Sequence, residues 1–250
     1  MSLDTHLASL PPWPAVDFSE FGEVEVRKLS KFQKIVGRFL GRNWITIPHV
    51  THHDEIDVTD AEKRRSAWNS ANPESKVTPV ALLVRSLALV LKEFPQFNAS
   101  LADDNESIIL KKYVNIGVAV ETPAGLLVPV VKGADTMSLA EIAGAVAALA
   151  DKARTKGLSA AEMAGSSISL SSLGHIGGTA FTPIVNAPDV AILGATAIQL
   201  RPVPAEDGSI AWRKMLPLSL SYDHRVINGG DAARFVRAIG AVFAGSELFS

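Results

Sequence analysis

The sequence predicts an α/β protein, a two-layer sandwich with helices packed on a mixed sheet. Three observations carry this reading. Segments with helical spacing of apolar residues mix with runs rich in β-branched residues, but without the strict strand–helix–strand order of a doubly wound sheet. Capping-box patterns at Thr59–Glu62, Ser138–Glu141 and Ser159–Glu162 mark helix starts between the β-rich runs. The 250 residues are 47% hydrophobic and 20% charged, enough to enclose a sizeable core.

In chain order, residues 10–15 read Leu-Pro-Pro-Trp-Pro-Ala, which favours extended polyproline geometry. Residues 1–16 are therefore expected to be an N-terminal arm or linker remnant, and 17–250 one continuous domain. Phe21–Leu29 alternates and predicts a strand. Ser30–Arg42 carries Phe32, Ile35, Val36, Phe39 and Leu40 at helical spacing. Pro48–Asp57 reads as extended, and a helix is expected from Thr59. Thr78-Pro79 places proline at a first helical position, with the helix running to Phe94 before Pro95.

Asn115–Thr122 and Leu126–Lys132 read as a hairpin turning at residues 123–125, Pro-Ala-Gly. The Ser138 box opens an Ala-rich helix to Lys156, and the Ser159 box a shorter one. Strands are expected at Ser167–Leu170, Val190–Ala195 and Leu216–Tyr222. A final helix follows Gly230 with Phe235, Val236, Ile239 and Phe243 on one face.

Composition excludes several functions. Lys plus Arg number 24 and Asp plus Glu 26, a net charge of -2, so there is no basic footprint for nucleic acid. The chain has no cysteine, hence no disulfide framework, no thiol nucleophile and no thiolate metal site, which fits a reducing compartment. The N-terminus lacks the charged and apolar regions of a signal peptide. The longest apolar run, Val77–Leu91, is broken by Pro79, Arg85 and Ser86 and is expected to be a buried helix, not a membrane span.

Two polar segments stand out as chemistry. His224 follows a strand-like run and precedes Asn228 and the Gly229-Gly230 pair, so it sits at a strand end where an imidazole can project into a cleft. The residues alone leave it open whether His224 moves protons or is held structurally. Asn228 offers only neutral hydrogen bonds, so no Ser-His-Asp relay is visible. Asp223 points to the opposite face of the strand and reads as an ion-pair partner. In the second segment Ser167, Ser169 and Ser171 alternate onto one face. No Gly-x-Ser-x-Gly elbow surrounds Ser171, so its hydroxyl suits an oxyanion donor better than a nucleophile. His49, His52 and His53 lack a helical i, i+4 pair, which argues for packing or cleft lining over metal binding. No metal is expected.

The run Ser219–Phe235, with Asp223-His224-Arg225 and Asn228-Gly229, resembles the signature of the catalytic domain in dihydrolipoamide acyltransferases of 2-oxo-acid dehydrogenase complexes. Residues 47–51 (Ile-Pro-His-Val-Thr), 117–123 (Gly-Val-Ala-Val-Glu-Thr-Pro) and 171–179 (Ser-Ser-Leu-Gly-His-Ile-Gly-Gly-Thr) agree in the same order, so the resemblance runs from about Pro11 to the end. Gly174–Ala195 is most similar to the acetyltransferases of bacterial pyruvate dehydrogenase, a branch with Asn at the position of Asn228.

The resemblance implies a chloramphenicol-acetyltransferase-like fold and homotrimers with active sites between subunits, which in this family build cubic or dodecahedral cores. It implies acetyl transfer between dihydrolipoamide and coenzyme A, with catalytic His224, Ser171 and Asn228 and with Glu121, Ser172 and Thr179 contacting substrate. Lipoamide would come from a lipoyl domain not present in this chain, and partner dehydrogenases would complete the assembly in a bacterial cytoplasm. Two departures are visible. Glu121 stands where the family usually carries Asp, and the tail from Ala244 to Ser250 is less apolar than tails that join trimers. Transfer of a succinyl, branched-chain or unusual acyl group, and a non-enzymatic assembly scaffold, are the alternative expectations.

Overall fold

The computed structural model describes residue 11 and residues 14–123, 125–205 and 207–249. The expected arm over residues 1–16 lies largely outside them. Helix α1 spans Lys31–Thr46, strand β1 His49–Asp57, and helices α2 and α3 Thr59–Ala71 and Pro79–Val90. Short strands follow: β2 (Ala99–Leu101), β3 (Ile108–Leu110), β4 (Ile116–Val118), β5 (Val120–Thr122), β6 (Gly125–Leu127) and β7 (Val130–Val131). Helix α4 covers Leu139–Thr155, and β8 (Ile168–Ser172), β9 (Ala191–Ala195), β10 (Gln199–Pro204), β11 (Ile210–Asp223) and helix α5 (Gly229–Ala244) complete the order.

One seven-stranded sheet forms the first layer, ordered β1-β11-β9-β8-β4-β7, with β10 paired to the start of β11. It is mixed, as expected: β8 runs parallel to β4 and β9, and the remaining pairs are antiparallel. Helices α3 and α5 form the second layer. Phe97 and Phe235 stack at 4.1 Å between ring centroids, and Phe94 meets Phe235 edge-on at 5.5 Å. Ala81–Ala88 in α3 is buried on every side, which is why every residue of that segment except Arg85 and Ser86 is apolar. Among the described residues, no helix is long and apolar enough to cross a membrane.

Several local expectations hold. Ser138 caps α4 with a reciprocal bond to Glu141, and Pro79 opens α3 behind Thr78. Others are corrected. Phe21–Leu29 forms no strand; it is exposed throughout and pairs with no other strand. The Thr59 pattern does begin a helix, but Thr59 lies inside it and its hydroxyl instead accepts the Lys214 N–H at 2.8 Å. Helix α3 stops at Val90 and the chain turns through 91–93. The box at Ser159 closes only a 3-10 turn, Ala160–Glu162. The predicted hairpin divides in two, β4 with β7 in the main sheet and β5 with β6 as a separate ribbon.

Replacing Phe235 by Ala removes a fully buried ring from the junction of α3 and α5. Chemical denaturation should show a loss of about 3–5 kcal/mol.

Candidate active site

Ser171 lies near the end of β8, half-buried, and its hydroxyl makes no hydrogen bond among the described residues. It opens on a cleft of about 1050 Å³ whose lining includes Lys76, Glu121, Arg154, Ser172 and His175. The preceding serines of β8 are spent on structure. The Ser169 hydroxyl donates to Asp189 at 2.8 Å, and Ser167 accepts the Asn115 N–H at 3.1 Å. Alternation thus brings Ser171 onto the same face but leaves it free. Its in-register neighbour on β9 is Gly194, where a Cβ would press into the Phe181 ring at 2.7 Å, so glycine is needed for that close approach.

His224 sits one residue past the end of β11, exposed, in the turn that leads to α5. Its backbone N–H donates to the Pro48 carbonyl at 3.1 Å, while its ring makes no hydrogen bond among the described residues and lies 5.8 Å from the Tyr222 ring. Asn228 caps α5 through its backbone, with an exposed side chain free of any capping bond.

Sheet register separates the two groups. Ser171 pairs with Gly194, and Gly194 with Ser219. Because β11 runs against β8 and β9, His224 lies five residues beyond that row, toward the opposite end of the sheet. At about 3.3 Å per residue the offset is roughly 17 Å, with two strand spacings of about 4.8 Å added sideways. One copy of the chain therefore cannot present Ser171 and His224 to the same atom. Glu121 and Ser172 lie with Ser171 in the cleft, whereas Thr179 is in the exposed loop beyond it and outside its lining.

A polar scaffold supports the His224 end. The Ile47 carbonyl lies 2.8 Å from Nδ1 of His49, and Nε2 of His49 accepts the Val185 N–H at 2.9 Å, which places the imidazole proton on Nδ1. Asn43 donates to the Val185 carbonyl at 3.0 Å. His49 is thereby a structural clamp, while His53 contacts the Ser219 hydroxyl at 2.9 Å. Beneath β8, Asp189 is buried with Ser166, Ser169 and Lys111 around it. Burial pushes the Asp189 carboxyl above its ordinary value, against the downward pull of those partners, and burial also pushes the Lys111 ammonium down. Lys76, Arg154 and His175 were missed as cleft residues. They come from three separate places, Lys76 before α3, Arg154 in α4 and His175 in the loop after β8, and no sequence spacing signals that they meet.

Residues 21–248 match the family described as 2-oxoacid dehydrogenases acyltransferase (catalytic domain). The dihydrolipoyllysine-residue acetyltransferase component of pyruvate dehydrogenase complex from Pseudomonas aeruginosa is 51% identical over 95% of this chain, which spans 44% of that relative's length. Two solved structures superpose with TM-scores of 0.91 at 48% identity, covering 94% of this chain and 97% of theirs. One is an Azotobacter vinelandii dihydrolipoamide acetyltransferase studied for the role of a serine, a histidine and an asparagine in its catalytic mechanism. The other is the cubic core of a pyruvate dehydrogenase multienzyme complex. A chloramphenicol acetyltransferase, 16% identical over 86% of this chain, shares the fold with a TM-score of 0.55.

Replacing Lys111 by Met strands the Asp189 charge, and a cost of about 3–5 kcal/mol at neutral pH is expected. The carboxyl, already raised in the folded protein, rises further without its partner. Folding then favours the protonated form, so denaturation midpoints of the variant should move toward wild type as pH falls.

Proposed function

This chain belongs to the family of 2-oxoacid dehydrogenase acyltransferase catalytic domains, and from that premise we propose that it transfers an acetyl group between dihydrolipoamide and coenzyme A at a site shared by two subunits. The observation that carries the reading is the separation of Ser171 and His224 to opposite ends of one sheet, Ser171 half-buried at a cleft and His224 exposed in a turn. The His224 imidazole takes the proton of the coenzyme A thiol. The sulfur attacks the thioester carbonyl carbon, and the π electron pair moves onto oxygen. The Ser171 hydroxyl of the neighbouring subunit donates to that oxyanion. As the pair returns, the bond to the dihydrolipoamide sulfur breaks and the imidazolium gives its proton to the leaving thiolate. Asn228, four residues past His224, holds the end of the turn through its backbone carbonyl, which accepts the Ala232 N–H at 3.0 Å, and its free amide can offer neutral hydrogen bonds to substrate or to the neighbouring subunit. Glu121 and Ser172 contact the acyl donor or thiol within the cleft, and Thr179 does so from the neighbouring loop.

Assembly as a homotrimer is supported by the surface before β1. Phe18, Phe21, Val26, Leu29, Phe39 and Trp44 are exposed, and a second copy is the natural cover for such a stretch. Similarity to a cubic core supports further association of trimers, with lipoyl domains and partner dehydrogenases around it. A reducing bacterial cytoplasm suits an acyl transfer from one thiol to another, because both must stay reduced.

With acetyl-CoA and free dihydrolipoamide as substrates, His224→Ala should lower kcat by about 10²–10⁴-fold. Ser171→Ala should lower it by about 10²–10³-fold with KM for acetyl-CoA unchanged. Full activity in His224→Ala refutes the base, and a pure KM effect in Ser171→Ala refutes the oxyanion donor.

A further inference from the structure

We propose that Asp223 and Arg225 form a clamp that positions His224 for proton transfer, an inference that rests on His224 being the base. Asp223 ends β11 with its side chain 4% exposed. Its carboxylate accepts the Arg225 backbone N–H at 3.0 Å, Nε at 2.9 Å and Nη2 at 2.6 Å. The residues on either side of His224 are therefore locked to each other by a charge-assisted fork as well as by the turn. The Asp223 carbonyl accepts the N–H groups of Val226 and Ile227 at 3.0 Å, and its own N–H donates to Val190 at 2.8 Å.

The His224 ring itself has no hydrogen bond among the described residues, so beyond its contact with the Tyr222 ring its restraint comes through the backbone and these two neighbours. The free arm of the guanidinium extends the grip. Nη1 of Arg225 reaches Oδ1 of Asn105 at 3.4 Å, at the tip of the β2–β3 hairpin. Asn105 holds a left-handed backbone, φ 56°, there. Sequence-distant structure is thus tied to the catalytic turn. A turn of this kind needs only an acceptor at Asp223 for the Arg225 N–H. The fork to the guanidinium adds nothing to that bond, and its effect is to fix the turn against tilting.

Asp223→Asn separates the two roles, because it keeps an acceptor for the turn and loses the ion pair. The clamp predicts a kcat for acetyl transfer to free dihydrolipoamide lowered by about 10- to 100-fold, the scale of a small misplacement of a catalytic group. KM for both substrates, the thermal unfolding curve and the mass of the assembly should stay as in wild type. Arg225→Met should show the same loss, and the double variant no more than the larger single loss, because the two residues act as one device. If Asp223→Asn fails to fold, Arg225→Lys carries the same test, since it keeps the charge but not the fork. Wild-type kcat in the folded variant, or a loss confined to KM, overturns the clamp. His224→Ala is measured alongside. If it is fully active, the base reading fails. If it is inactive while Asp223→Asn is fully active, the clamp alone fails.

Discussion

Strand β11 runs against β8 and β9, and this polarity decides where chemistry can take place. The end of β8 delivers Ser171 to one end of the sheet, and the end of β11 delivers His224 to the opposite end. Each group is placed precisely by the ladder that separates it from its counterpart. On the proposed reading a single subunit holds two half-sites, one facing a cleft and one at a turn. Closed cyclic symmetry joins half-sites of this kind without further design, because every interface repeats the same contact.

The polar groups beneath the two ends explain how such exposed chemistry stays ordered. Ser166, Ser169 and Lys111 surround the buried Asp189, which anchors β8 from below. His49 and Asn43 hold both backbone groups of Val185, and Pro48 accepts the His224 N–H. These groups sit where an unmet donor or acceptor would be costly, so they favour a single arrangement of the loops. Ser171 and His224 differ from these groups. Both keep side chains free of hydrogen bonds within the described residues, as expected of groups that meet substrate or a neighbouring subunit.

Much of this was legible in the sequence because local rules and the fold agreed. The Ser138–Glu141 box and Thr78-Pro79 mark helix starts by direct hydrogen-bond chemistry, and both helices form there. The serine alternation in β8 was also readable, since period two is local. Phe21–Leu29 has strand-like alternation too, but a strand exists only where a partner pairs with it, and none does among the described residues. Strands β2, β3 and β10 escaped notice for a related reason. The first two are three residues long, and β10 carries Pro202 and Pro204. The separation of Ser171 from His224 depends on strand order and direction, which no spacing along the chain encodes. The family resemblance suggests a site shared between subunits, and the register adds that Ser171 and His224 lie too far apart to meet within one chain.

A mixed assembly tests the shared site most directly. His224→Ala and Ser171→Ala subunits, each inactive alone, are unfolded together and reassembled in equal amounts. If each site takes its imidazole from one subunit and its hydroxyl from the next, random assortment leaves about a quarter of the sites intact, and about a quarter of wild-type activity should return. Mixed assemblies of the right mass that stay as inactive as either parent would show that both groups act from one subunit, and the account would be wrong.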